Sequence, residues 1–263
     1  LSEIFEKRFV VFIDILGFGA MVSAASKDPD GKIAKRVDQA LSIIHKMSLL
    51  EVDVVDTTGS INGFHSHIFS DCIVMSVKPE SFAVSKLFIE LARLTVDLMS
   101  IGVWIRGGMS HGLISKRRST PWGPSVVEAY NVESQLAVNP RIALSKTAHD
   151  FVVTQMDRKQ EESLIVRDED GIWSLAPFVW ALRSSYEQNE ILTEEKGNSI
   201  KKHLEVAHRD TVDNPKVFKK IDWLSWQWDT HVKPRNGHPR FDCRTHFGKS
   251  RDLVDVYARA RDS

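Results

Sequence analysis

Cysteine is scarce: Cys72 and Cys243 are the only two in 263 residues, and they lie far apart. Cys72 sits in an apolar run, where a buried free thiol is the expected state, so the chain reads as one suited to a reducing, cytoplasmic setting. One charge sign does not dominate either. Lys plus Arg and Asp plus Glu both number 35, giving a formal net charge of zero. Without a basic surplus, a nucleic-acid or membrane surface is excluded as the main partner, and any phosphate recognition must be local. Long apolar runs are missing too: none approaches the roughly 20 residues of a membrane span. The first residues show no charged region followed by an apolar segment of signal-peptide length, so no membrane association is expected. There is no internal repeat. A 42% hydrophobic content suits an ordinary globular core.

Against these absences, several segments have clear periodicity. Residues 9–16 are apolar on both faces, as in a fully buried strand, and only Asp14 interrupts them. Ile33, Val37, Ala40, Leu41, Ile44 and Met47 follow helical spacing. The second half of residues 65–76 is again a buried-strand pattern, interrupted by Asp71. Val84, Leu87, Phe88, Leu91, Leu94 and Leu98 mark an amphipathic helix closed by Gly102. Residues 103–112 read as a strand whose glycines predict a close backbone approach, and a helix carrying Val126, Val127, Tyr130 and Leu136 follows a Pro-Trp-Gly-Pro stretch. From about residue 156 the chain is more charged, with short strand patterns around 163–166 and 173–182. Its last 75 or so residues are Trp-rich and read as a helical appendage. The expected fold is α+β: one mixed, mostly antiparallel sheet covered by helices, with that appendage. The expected division is 1–185 for the main domain and 186–263 for the extension.

A carboxylate inside an apolar strand is costly to desolvate unless a cation or several donors meet it. One such Asp is as readily a turn cap or an arginine partner; two in neighbouring strands point to a shared site. Asp14 and Asp71 would then hold a pair of divalent cations, Mg2+ or Mn2+, which prefer hard oxygen ligands.

The residues around them resemble class III adenylate and guanylate cyclases. Phe12-Ile-Asp-Ile-Leu-Gly-Phe18 is similar to the family's first metal motif. Phe69-Ser-Asp-Cys-Ile-Val-Met75 is similar to the second, with Ser70 where glycine is usual. Ile105-Arg-Gly-Gly-Met-Ser-His-Gly112 resembles the strand that follows, and Trp122-Gly-Pro-Ser-Val-Val-Glu-Ala-Tyr-Asn131 the glycine-led helix bearing transition-state contacts. The four occur in family order over residues 9–150. The resemblance implies that Asp14 and Asp71, with the backbone carbonyl of Ile15, ligate both metals. It places the Gly17-Phe18 turn near the triphosphate and Arg106 on the departing phosphates.

Departures from the family pattern narrow the expected substrate. Where purine cyclases carry a helix Asn and, four residues later, an Arg, this chain has Val127 and Asn131; Asn131 can still donate a hydrogen bond to a developing oxyanion. The base-reading Lys and Asp or Thr positions hold His67 and Thr120. In these respects the chain resembles the bacterial pyrimidine cyclases of Pycsar anti-phage defence, which make cyclic UMP or cyclic CMP for a separate effector protein. His67 and Thr120 can each donate or accept, so the residues leave UTP and CTP open; the greater number of family members resembling this core favours UTP. The family's head-to-tail homodimer would set Asp14, Asp71 and Arg106 of one subunit against His67, Thr120 and Asn131 of the other. Two alternatives remain: a cyclase-like nucleotide sensor without turnover, and an adenylate cyclase with atypical base contacts. Residues 238–246 lack the spacing of a structural zinc site, Lys116-Arg-Arg118 reads as a solvated loop, and strand alternation is expected to turn Cys72 away from Asp71.

Overall fold

The computed structural model describes residues 4–48, 64–117, 120–156, 164–178 and 191–232. The expected glycine-containing link at 57–63, the charged segment 157–162, Arg118, the boundary at 185/186 and the segment 238–246 lie outside them.

Among the described residues, seven strands form one sheet: β1 (Phe5–Ile15), β2 (His65–Phe69), β3 (Cys72–Val77), β4 (Ile105–Ser115), β5 (Ile142–Leu144), β6 (Ile165–Arg167) and β7 (Trp173–Leu175). Their spatial order is β2-β3-β1-β4-β5-β7-β6. All neighbours are antiparallel except β4 and β5, which run parallel. The helices are α1 (Phe18–Ala25), α2 (Lys32–Ser48), α3 (Ser81–Ser100), α4 (Pro124–Gln135), α5 (Lys146–Gln155), α6 (Glu194–Asp210) and α7 (Pro215–His231). The α+β arrangement expected from the sequence, a mixed and mostly antiparallel sheet covered by helices with a helical C-terminal part, is the one the chain adopts.

β1 is central because it has apolar side chains for both faces. Phe9, Val11, Ile13 and Ile15 enter the main core with α2, α3 and α5, while Val10 packs with Ala129 of α4 on the opposite face. α3 ends as expected: Gly102 takes φ 73°, in the left-handed region that glycine enters without a Cβ penalty.

α4 departs from expectation. Val127, Tyr130 and Leu136, three of the four apolar residues by which the helix is predicted, are exposed, and the buried residues are Ser125, Ala129, Val132 and Glu133. The cause is the closeness of helix and sheet. A Cβ on Gly108 of β4 would lie 2.1 Å from the Ala129 carbonyl oxygen and 2.6 Å from the Glu133 nitrogen, so the side of α4 bearing Ser125, Ala129, Val132 and Glu133 is the one pressed on the sheet.

α6 and α7 pack on the far side of α3. Val96 and Met99 of α3 share a second core with Phe178, Leu192, Leu204 and Trp228. Ser199 Oγ donates to the Ser100 carbonyl at 2.6 Å. A buried polar knot ties α7 to the sheet: Arg141 pairs with Asp168 at 2.8 Å, Gln227 donates to Asp168 at 2.6 Å, and the guanidinium lies 5.7 Å from the Trp223 ring centre.

Candidate metal and phosphate site

Asp14 lies one residue from the end of β1, opposite Cys72 on β3 and Arg106 on β4. Directly opposed residues on paired strands project from the same face, so these three share the face that α4 partly covers. Asp71 is not a strand residue as expected. It occupies the two-residue turn joining β2 to β3, and Ser70 before it takes φ 56°. Such tight hairpin turns need positive φ, which explains the sequence signal of a glycine-favouring position there.

The turn brings Asp71 over the end of β1. A carboxylate oxygen of Asp14, one of Asp71 and the Cys72 Sγ all lie within 4.8 Å of one another. Cys72 therefore shares the face of the carboxylates, contrary to expectation. Because Asp71 belongs to the turn, alternation along β3 does not relate the two residues, and the pairing of Cys72 with Asp14 decides its side. Burial, followed by the charges of Asp71 and Asp14, pushes the Cys72 thiol up to about 11. Burial likewise raises the Asp14 carboxyl above its ordinary value; Arg106 opposes that rise and Asp71 adds to it.

Two oxygens bound to one small divalent cation at about 2.1 Å each lie no more than about 4.2 Å apart, so side chains already gathered this closely need little movement to share an ion. The donor set fits a hard cation: two carboxylates with mutually unfavourable charge, and a protonated thiol that does not compete.

Arg106 Nε donates to Asp14 Oδ2 at 3.2 Å and lies 2.6 Å from Glu133 Oε1. Glu133, on the sheet-facing side of α4, is only 2% exposed, and burial raises its carboxyl. Lys220 on α7 is held below its ordinary value by burial and then by Arg106, while Asp14 and Glu133 pull it up, so α7 contributes a cation within electrostatic reach. Glu133 and Lys220 were missed by the sequence reading. For Glu133 a signal existed: it follows Ser125 and Ala129 at four-residue intervals, along the stripe that faces the glycines of β4.

Of the other expected site residues, Ile15 turns its side chain into the core, leaving only its backbone for a ligand role. Gly17 takes φ 76° at the start of α1, and Phe18 packs against the main core. His67 is half-buried on β2, opposite Val74, which is opposite Phe12, two pairs along from the Cys72–Asp14 pair. Thr120 and Asn131 are exposed. Asn131 lines an open groove of about 860 Å³ with Phe5, Trp122, Val127 and Leu136, and neither Asp14, Asp71 nor Arg106 borders it. Within one chain, then, Asp14, Asp71 and Arg106 come together and Asn131 lines a separate groove.

The fold and site define an α+β domain that presents a pair of carboxylates able to hold a cation beside an arginine. No protein-family model matches the chain, and no curated protein matches it in sequence. Among solved structures it is similar to a bacterial light-regulated adenylyl cyclase, with 15% identity and a TM-score of 0.40 over 66% of this chain and 52% of that one. The chain thus spans about half the length of that protein. A class III adenylyl cyclase-like ATP-binding protein from Pseudomonas aeruginosa overlaps 56% of this chain and 35% of its own, at 16% identity and TM-score 0.37. The catalytic core of a rhodopsin-guanylyl cyclase with converted specificity, in complex with ATPalphaS, overlaps 66% of this chain and 98% of its own at 16% identity and TM-score 0.39. Among the described residues no helix is long and apolar enough to cross a membrane.

Proposed function

We propose that the chain is a class III nucleotide cyclase that converts a pyrimidine nucleoside triphosphate, UTP in preference to CTP, to the 3′,5′-cyclic monophosphate and pyrophosphate. The observation that carries this reading is the gathering of Asp14 and Asp71 oxygens within 4.8 Å, with Arg106 bonded to Asp14. A strand end and a hairpin turn that bring two carboxylates this close suit a shared cation, and the guanidinium beside Asp14 suits a polyphosphate.

In the reaction the ribose 3′-oxygen bonds to the α-phosphorus, the bond from that phosphorus to the bridging oxygen breaks, and pyrophosphate departs as the hydroxyl proton is lost to solvent. Held by Asp14, Asp71 and the Ile15 carbonyl, two Mg2+ or Mn2+ ions would supply charge that acidifies the attacking hydroxyl and neutralises the leaving oxygens. The chain's own part is positioning. Arg106 holds the departing phosphates, Asn131 donates to the α-phosphate, and His67 and Thr120 bond the base edge.

Exposure of Thr120, and of Asn131 in an open apolar groove, supports a head-to-tail homodimer in which they serve the partner's carboxylates. Residues 1–185 would form the catalytic unit and 186–263 the extension. The cyclic nucleotide would act on a separate effector protein in anti-phage defence, within the cytoplasm. Incubation of the purified protein with each of the four ribonucleoside triphosphates and Mn2+, followed by mass spectrometry, tests the activity. Cyclic UMP as the main product is expected; a purine product would move the substrate assignment, and none at all would favour a nucleotide sensor. That second reading has one observation for it: Asn131 brings no charge to the helix position where the family uses arginine.

A further inference from the structure

Two carboxylates of this chain face the same N–H of Arg106, and they are not equivalent. Asp14 Oδ2 accepts its hydrogen bond at 3.2 Å. Glu133 Oε1 is nearer, at 2.6 Å, yet it is not aligned to accept and has no hydrogen-bond partner among the described residues. A buried carboxylate oxygen beside a cation but without a hydrogen bond is poorly satisfied, and α4 has little freedom to carry Glu133 elsewhere, because its backbone sits directly on Gly108. Asp14 is also the residue that a cation would claim. When a cation draws the Asp14 carboxylate away from Arg106, the released N–H has an acceptor already within reach.

We infer that Glu133 is a positioning residue that takes over Arg106 when a divalent cation occupies Asp14 and Asp71, so that cation binding and arginine placement are coupled. This inference rests on the cyclase reading of the site. Before loading, Arg106 neutralises Asp14 and competes with the cation. After loading, Glu133 satisfies the guanidinium and keeps it at the site for the phosphates. Glu133 thereby offsets part of what breaking the Asp14–Arg106 pair costs. Outer-shell partners of this kind typically change metal affinity by roughly 10- to 100-fold when removed.

The test is Mn2+ affinity of the full chain without nucleotide, measured by the electron paramagnetic resonance signal of free Mn2+. Glu133→Gln keeps the shape but removes the charge that receives Arg106, and should weaken Mn2+ binding at least about tenfold. Adding Arg106→Ala to it removes the competitor and should restore binding to within a few-fold of the parent. Arg106→Ala alone should bind Mn2+ no more weakly than the parent, which provides a reading if Glu133→Gln does not fold. A Glu133→Gln protein that binds like the parent, a double variant as weak as the single one, or an Arg106→Ala protein weaker than the parent would each overturn the inference. Asp14→Asn separates this from failure of the underlying reading. If that change leaves Mn2+ affinity intact, the cation site itself is wrong; if it abolishes binding while Glu133→Gln does nothing, only the coupling falls.

Discussion

An aspartate partly buried beside a second carboxylate is costly to ionise, and Asp14 is in that position. Burial first, and then Asp71, lift its carboxyl above the ordinary 3.8, with Arg106 opposing. Below 3.8 the group is protonated in both the folded and the unfolded chain, and the fold keeps its full contribution. As pH rises through the folded value, ionisation costs the folded state more than the unfolded one, and stability is lost. Asp14→Asn cannot ionise. In metal-free buffer its melting temperature should exceed the parent's at pH 7, and the gap should close near pH 3, which thermal unfolding at both pH values will show. Mn2+ should reverse the order at pH 7, because a ligand at 100 times its Kd stabilises the folded parent by about 2.7 kcal/mol and the variant has lost the site.

Ser70 permits a second prediction at the same scale. A left-handed backbone costs an ordinary L-residue roughly 1–2 kcal/mol, and glycine avoids this at an entropic cost of roughly 0.4–1 kcal/mol. Ser70→Gly should therefore stabilise the protein by about 0.5 kcal/mol in urea unfolding without altering the hairpin. A clear loss of stability would mean that the serine side chain contributes something beyond the turn.

At the scale of elements, the closeness of α4 to β4 governs where the charged residues meet. Gly108→Ala must push its new methyl against the Ala129 carbonyl and the Glu133 nitrogen, both of them backbone. Since neither can rotate aside, α4 must lift, at a cost of about 1–3 kcal/mol by denaturant unfolding, and Glu133 should move off Arg106. The same contact explains what was legible in the sequence. Both-sided apolar runs identified β1 and β3, and helical spacing identified α2 and α3, because burial there follows side-chain hydrophobicity. On α4 burial follows which side of the helix meets β4 rather than hydrophobicity, so Val127 and Tyr130 misled and Ser125 and Glu133 passed unnoticed. Short elements such as α1, β5 and α5 were not predicted, since three to ten residues held by tertiary pairing carry little periodicity of their own. The aspartates were conspicuous as costly residues in apolar surroundings, whereas the place of Asp71 in a turn depended on the β2–β3 register. Arg141 gave no such signal, because its partners Asp168 and Asp170 are distant in the chain.

For the whole molecule, the C-terminal helices are joined to the sheet through the second core and the Arg141 knot. Trp228 is fully buried and meets Phe178 edge-on at 5.3 Å. Trp228→Ala should cost about 3–5 kcal/mol, read from chemical denaturation by the circular dichroism of the helices. The separation of Asn131 from the carboxylates within one chain raises a question only an assembly answers. If each site draws Asp71 from one subunit and Asn131 from the other, Asp71→Ala and Asn131→Ala are both inactive as homodimers. A mixed dimer, however, places both defects in one site and leaves its second site whole. Random exchange between equal amounts makes half of the dimers mixed, and each has one of two sites intact, so about a quarter of parent turnover should return. Rescue must also vanish on dilution below the dimer dissociation constant, which excludes slow turnover by the parent subunits themselves. Turnover that stays at the level of the separate variants would mean that each chain builds its site alone, and Asn131 would then have no part in it.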